Sequence, residues 1–474
     1  MIKLHDIAGT RIAVMGLGIS GLATARALAA SGADVLAWDD DEKKRAEAQG
    51  AGLPLADLND TDWTTIPALV LSPGIPHCFP EPHPVAAAAA EAGTEIIGDI
   101  ELLGRAQRSA RYVGITGTNG KSTTTALIGD ILRAAGHRIE IGGNLGPPVL
   151  GLEPLDANGT YVLEMSSFQL ERTRSVIFDV AVLLNISADH LERHGGFEGY
   201  VNAKLRILLG QGERSAFIVG VDDDRCRRIY EKYADDGIQR VIPVSSRAPI
   251  RGGVYVLDGV LYDDLHDSAE IVADLRTIPT LPGSHNWQNA AAAYAAATAL
   301  GVERSAIKSA LAAFAGLPHR QEVVSVIDGI AYVNDSKATN AEAAGKALDC
   351  YPRIYWILGG QAKSEGIEPL RDYFPRIVHA FLIGEASTAF AATLRGEVPL
   401  TEAHDLETAV YLAGKMAAND TAAPRAVVLL SPACASYDQF PNFAARGDHF
   451  RALVSALPGS RNANAPVKAA GGGA

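Results

Sequence analysis

Arg111-Tyr112-Val113-Gly114-Ile115-Thr116-Gly117-Thr118-Asn119-Gly120-Lys121-Ser122-Thr123-Thr124-Thr125 is the stretch that decides the fold. A short β-branched run enters a glycine-rich turn. The residues that follow carry Leu127, Ile128, Ile131 and Leu132 on one helical face. In a strand–turn–helix of this kind, backbone N–H groups close around phosphate oxygens and the helix N-terminus adds partial positive charge. Lys121 is placed to reach the β- and γ-phosphates of a nucleotide, and Ser122 to offer its hydroxyl to Mg²⁺. Ile115 occupies the place of the first glycine in the usual phosphate-loop spacing, which leaves the variant Thr-Gly-Thr-Asn-Gly-Lys-Ser.

Upstream, Ile12–Met15 reads as a buried strand running into Gly16-Leu17-Gly18-Ile19-Ser20-Gly21. A helix over 22–31 and a second strand, Asp34–Trp38, end in Asp39-Asp40-Asp41. A G-x-G-x-x-G turn with an acid about twenty residues on suits NAD. The same turn receives any diphosphate, so a nucleotide sugar is an equal candidate. Ser72-Pro73-Gly74 ends the next apolar run, where an open α/β sheet binds ligand or simply turns.

Downstream, Asn144 lies in the polar loop Gly142–Gly146, and the strand Tyr161–Leu163 delivers Glu164 to its end, a position suited to Mg²⁺. The next run empties into Asn185–His194, where Asp189 beside His190 suggests metal chemistry. Lys204, on an expected helix over 199–209, reads as an ordinary solvated charge. Residues 216–264 suggest short strands and a hairpin. Asn286 and Asn289, three apart on the first turn of an alanine-rich helix, present two amides on one face, for capping or for holding a base or phosphate. Beyond residue 317, four apolar runs each precede a polar loop containing Asp335, Lys337 and Thr339, then Lys363, then Gly384 and Glu385, then Ser436. This is the layout of a doubly wound sheet.

The whole chain, 474 residues with ordinary globular composition, has room for three α/β domains. A net charge of −13 argues against nucleic acid and membrane surfaces as partners. Four scattered cysteines without a C-x-x-C pair point to thiols in a reducing cytosol. No leader and no spanning apolar run is evident, so a cytoplasmic protein is expected.

Taken in order, these stretches resemble the Mur ligases, the ATP-dependent amino-acid-adding enzymes of peptidoglycan synthesis. The resemblance runs from about Arg11 to Leu457. It is carried by Thr116–Ser122, Glu164–Glu171, Asn185–Arg193, His285–Asn289, Pro318-His319-Arg320, Asp335–Asn340, Gly359–Lys363 and Leu430–Phe440. The resemblance implies a Rossmann-like N-terminal domain (1–99) for a UDP-sugar and a central P-loop ATPase-type parallel sheet with a small added β-sheet (100–316). It implies a C-terminal Rossmann-like domain (317–458) for the amino acid, and the Gly-, Ala- and Asn-rich composition of 459–474 leads one to expect a disordered tail. The domains would close on their substrates about hinges near 99–101 and 316–317. The implied reaction adds D-glutamate to UDP-N-acetylmuramoyl-L-alanine through an acyl phosphate, in a cytoplasmic monomer using ATP and two Mg²⁺ ions.

By the same resemblance, Lys121, Glu164, His190 and Lys204 are the catalytic set. Ser122, Glu164, His190 and a carbamylated Lys204 serve the metals. Gly117, Thr118, Asn119, Gly120, Lys121, Ser122, Thr123, Asn286, Asn289, Arg320 and Asp335 contact ATP. Ser20, Asp39, Asp40, Asp41, Gly74 and Asn144 contact the UDP-sugar, and Lys337, Thr339, Lys363, Ser436 and Phe443 contact D-glutamate. The sequence departs from the family's pattern at the all-acidic Asp39–Asp41, where hydroxyl or basic partners are expected. It departs again at Gln361, where an acid is expected.

Overall fold

Short apolar runs bounded by glycine turns become strands, and in the computed structural model they form three sheets among the described residues. The structure describes residues 1–460 except 267, 363–365, 423 and 425. Lys363 and the expected tail beyond Ser460 lie outside the described residues.

The first sheet is parallel, in the order Asp34–Trp38, Arg11–Met15, Ala68–Leu71, Glu95–Ile97. Its strands alternate faces as a pleat requires. Ala13, Met15, Leu69 and Leu71 pack under Trp63 and Val85, whereas Ile12, Val14, Val70 and Ile97 join the core of the second sheet.

That second sheet has nine strands. Arg138–Gly143, Gly159–Glu164, Arg111–Thr116, Val180–Leu183, Ala216–Gly220, Arg240–Ser245 and Val254–Leu257 are parallel neighbours. Val260–Asp263 and Glu270–Asp274 extend it antiparallel, so the added strands continue the same sheet at its edge.

The third sheet runs Glu322–Ile327, Ile330–Asn334, Val427–Leu430, Ile354–Gly359, Ile377–Ile383, Leu400–His404, parallel after its first pair. It buries both faces. Val333, Trp356, Leu382 and Leu429 lie on one side, and Tyr332, Ile357, Phe381 and Leu430 on the other. Its first strand falls outside the pattern read from the sequence. It turns back through Asp328 and Gly329, both at positive φ, as a two-residue Asp-Gly hairpin demands.

The chain divides into two compact units, one of Met1–Leu275 with Asn286–Ala313, the other of Arg276–His285 with the chain from Phe314 on. Among the described residues no helix is long and apolar enough to cross a membrane.

Within the first unit, the stretch 99–101 is buried rather than loose. Glu101 has no exposed surface, and its carboxylate accepts from Arg174 N, Ser175 N, Ser175 Oγ and Arg105 Nε at 2.7–2.9 Å. Burial alone would raise its pKa. The bonds from Ser175, Arg174 and Arg105 outweigh that and hold it below the ordinary 4.5. A depressed folded-state pKa gives stability that is full above the ordinary value and lost as pH falls through the folded one.

Glu101→Ala should therefore lower unfolding stability at neutral pH by about 3 kcal/mol, because buried donors are left without an acceptor. Glu101→Gln should flatten the loss of stability on acidification below pH 4.5. Denaturant titrations between pH 3 and 7 check both, roughly bracketing carboxylate ionisation.

Candidate functional site

The strand Arg111–Thr116 ends in the glycine turn, and the helix Lys121–Ala134 leaves it. Gly120 at the helix start has φ +85°, and a Cβ there would lie 2.3 Å from Asn289 Oδ1. Only glycine fits a turn so placed. The end of the neighbouring strand holds the turn from below. Asn119 N donates to Asn185 Oδ1 (2.8 Å) and Asn185 Nδ2 returns a bond to Asn119 O (3.1 Å). Thr118 Oγ1 meets Ser187 N at 3.0 Å and Tyr200 OH at 3.1 Å.

Two lysines converge on the turn's carbonyls. Lys121 Nζ donates to Gly117 O (3.0 Å) and Thr118 O (2.8 Å), and Lys204 Nζ donates to Gly117 O at 2.8 Å. Lys204 is no solvated charge. It is 2% exposed, at the end of the helix Phe197–Leu205, with its ammonium 4.5 Å from the centre of the Tyr200 ring. Burial, then repulsion from Lys121, drives its pKa well below the ordinary lysine value.

Glu164 pairs beside Ile115 in the sheet. Asn144 Nδ2 donates to its Oε1 at 2.6 Å, while Oε2 is buried without a partner among the described residues. A carboxylate oxygen left this way suits a cation. Among the described residues no cluster of three or more His, Cys, Asp or Glu could hold a metal ion. A single carboxylate fits Mg²⁺, which takes few protein ligands and completes its shell with phosphates and water. His190 stands at left-handed φ, half exposed, near Asp189 (3.6 Å) and the Phe168 ring. Asn289 Nδ2 bonds Asn286 Oδ1 at 3.2 Å, so the two amides do share a helix face, and Asn289 packs against the turn.

At the first sheet the acidic run is absorbed locally. Asp39 Oδ2 accepts from Leu17 N (2.6 Å) and Oδ1 from Asp41 N (2.9 Å). Asp41 caps the helix Glu42–Gly50 through Lys43 N, and Asp40 meets His83 Nε2 at 2.8 Å. Arg45 covers Trp38 and donates to the Asp39 and Asp40 carbonyls. Ser20 lies in the first turn of the helix Ile19–Ala30, part-exposed, and Gly74 is exposed in the turn after the strand Ala68–Leu71.

Sequence reasoning missed what holds that strand end. Arg172, 2% exposed, donates to Leu71 O (2.9 Å), Ser72 O (2.8 Å) and Ile75 O, and Arg193 Nη2 adds a bond to Ile75 O at 3.1 Å. Glu171 accepts from His194, whose other nitrogen meets Ser167 Oγ at 2.9 Å. The local sequence carries no sign of these partners.

In the second unit, Asp335 is buried between Ser431 Oγ (2.8 Å) and Gln321 N (3.2 Å). Burial, only partly countered by those bonds and by Arg320, raises its pKa to about 7. Lys337 Nζ lies 3.8 Å over the Phe443 ring, and Thr339 N donates to Lys337 O. Ser436 is buried in the loop after Val427–Leu430.

Comparison with known proteins agrees with this layout. A family model described as the Mur ligase middle domain matches residues 115–297, and one described as the N-terminal domain of Mur ligase MurD-like proteins matches residues 10–98. The UDP-N-acetylmuramoylalanine–D-glutamate ligase of Rhodospirillum rubrum is 52% identical over 471 residues, covering 98% of each chain. That of Phenylobacterium zucineum is 50% identical over 463 residues, covering 96% of this chain and 98% of its own. Among solved structures, the UDP-N-acetylmuramate-alanine ligase of Thermotoga maritima aligns with a TM-score of 0.56 at 16% identity, over 93% of this chain and 98% of its own. A pseudomurein peptide ligase of Methanothermus fervidus aligns at 0.55 and 17%, over 94% and 99%. Both share the fold.

If the unpartnered oxygen of Glu164 is a cation ligand, Glu164→Gln should weaken nucleotide binding about tenfold or more with Mg²⁺ present, and little without it. Calorimetric titrations with and without Mg²⁺ check this. Equal loss in both would assign Glu164 to the loop's structure.

Proposed function

The chain belongs to the Mur ligase family, and from that premise we propose that it is the D-glutamate-adding member. It joins D-glutamate to UDP-N-acetylmuramoyl-L-alanine, with conversion of ATP to ADP and phosphate, in cytoplasmic peptidoglycan precursor synthesis. The observation that carries this reading is full-length identity to ligases named for that reaction. The phosphate loop, Glu164 and the buried lysine supply a physical basis for it.

A carboxylate is too poor an electrophile for an amine. Phosphoryl transfer from ATP turns the substrate's terminal carboxylate into an acyl phosphate, the D-glutamate amine attacks the carbonyl carbon, and phosphate leaves as the amide forms. The backbone of Gly117–Thr123 cradles the phosphates, and Lys121 adds positive charge. Asn286, Asn289, Arg320 and Asp335 hold the rest of the nucleotide.

Two Mg²⁺ ions, one held by Ser122 and Glu164 and the other by His190, would neutralise charge on the transferring phosphoryl group. Lys204 would complete that set as a carbamate. Its pKa direction supports this, because burial favours the free amine, the form that can bond CO₂ and lose a proton to solvent. The product is a carboxylate-like ligand in place of a buried cation.

Ser20, Gly74, Asn144 and the backbone around Asp39, Asp40 and Asp41 receive the UDP-sugar. Lys337, Thr339, Lys363, Ser436 and Phe443 receive D-glutamate, whose charge the lysines answer. Residues 1–99, 100–316 and 317–458 divide the labour as three domains of a monomer.

Phosphate release from ATP with UDP-N-acetylmuramoyl-L-alanine should depend on D-glutamate and stay at background with L-glutamate or glycine. Release with another amino acid would move the specificity, and release with none would remove the ligase reading. Intact mass spectrometry in bicarbonate buffer should find one added CO₂ that a Lys204→Ala chain lacks.

A further inference from the structure

Arg446 lies in the helix Phe443–Ser455, 1% exposed. Its guanidinium reaches three separate loops. Nε donates to Ser336 Oγ (3.0 Å) and Nη2 to Ser336 O (2.9 Å) in the loop after Ile330–Asn334. Nη2 also donates to Cys434 O (3.0 Å) and Nη1 to Ala435 O (3.3 Å), in the loop after Val427–Leu430. Gly359 O, ending the strand Ile354–Gly359, lies 3.5 Å from Nη1. These are the loops that carry Lys337 and Thr339, Ser436, and the approach to Lys363.

The helix carrying Arg446 joins the same arrangement. Ser336 Oγ donates to Phe443 O at 2.8 Å, and Asn334 Nδ2 donates to Gly447 O at 3.1 Å. Gly360 shows how closely the parts fit. At φ +127°, a Cβ there would sit 2.3 Å from Ala435 O and 3.2 Å from Arg446 Nη1.

Among the described residues every oxygen that Arg446 bonds is a neutral carbonyl or hydroxyl. Burial lowers its pKa only to about 10, with Asp438 near enough to favour the charge, so it stays cationic at neutral pH. Its fixed positive charge therefore lies where an acidic amino acid would be read. Planar geometry matters as well. A guanidinium's fork of five N–H donors can serve oxygens from several directions, whereas an ammonium has three donors on a flexible stem.

We infer that Arg446 is a positioning residue for the amino-acid substrate, holding the three pocket loops in register and biasing them toward a dicarboxylate. The inference rests on the D-glutamate reading above and extends it to a residue outside the proposed pocket contacts.

The test is steady-state kinetics of the full chain carrying Arg446→Lys, Arg446→Met or Ser336→Ala, with thermal unfolding recorded for each. Wild-type turnover with D-glutamate checks the underlying reading in the same experiment. The inference expects the KM for D-glutamate to rise about tenfold or more in Arg446→Lys, and further in Arg446→Met, with the KM for ATP and for the UDP-sugar within about twofold of wild type. Ser336→Ala, which removes the acceptor for Arg446 Nε and the donor to Phe443 O, should give a smaller rise of the same selectivity and decides the matter if the arginine variants do not fold. An unchanged KM for D-glutamate, or a parallel rise in all three, would overturn it.

Discussion

A loop that leaves backbone N–H groups for an anion still has carbonyl oxygens to satisfy, and this chain meets them with buried nitrogen donors. Lys204 bonds Gly117 O beneath the phosphate turn, Arg172 bonds the carbonyls of Leu71, Ser72 and Ile75, and Arg446 bonds those of Ser336, Cys434 and Ala435. Each of the three side chains is almost fully removed from water. Such burial is costly unless the donors find oxygens, and loop carbonyls accept from both terminal nitrogens of Arg172 and of Arg446. Each of the two arginines thereby ties together loop segments distant in the chain.

The same arrangement reconciles an acidic protein with anionic ligands. A net charge of −13 would repel a nucleotide diphosphate and a dicarboxylate if it reached the sites. Asp39, the most buried of its acidic run, spends both oxygens on Leu17 N and Asp41 N. Glu164 differs, with one oxygen tied to Asn144 and the other buried without a hydrogen-bond partner among the described residues. Its environment calls for a cation rather than for repulsion.

Features encoded within a few residues were legible in the sequence. The phosphate turn, the G-x-G-x-x-G turn, the strand ends and the Asn286/Asn289 face all depend on local spacing, and the structure forms each of them. The resemblance to a family extended that reading to positions such as Lys204, which composition alone assigns to solvent. What remained hidden depends on contacts distant in sequence. Arg172 bonds residues about a hundred positions away, and Arg446 bonds Ser336 across a similar separation. An arginine in a helix or a turn carries no mark of the carbonyls it will meet. The inward carboxylate of Asp39 was hidden for the same reason, since its partner Leu17 belongs to a different strand's turn.

The most direct measurement is the product itself. The protein would be incubated with ATP, UDP-N-acetylmuramoyl-L-alanine and racemic glutamate, and the product's mass and the chirality of its incorporated residue determined. The account predicts one amide-linked glutamate per UDP-sugar, of D configuration, with ADP and phosphate formed in equal amount. Incorporation of the L isomer, or ADP formed without an amide product, would contradict it.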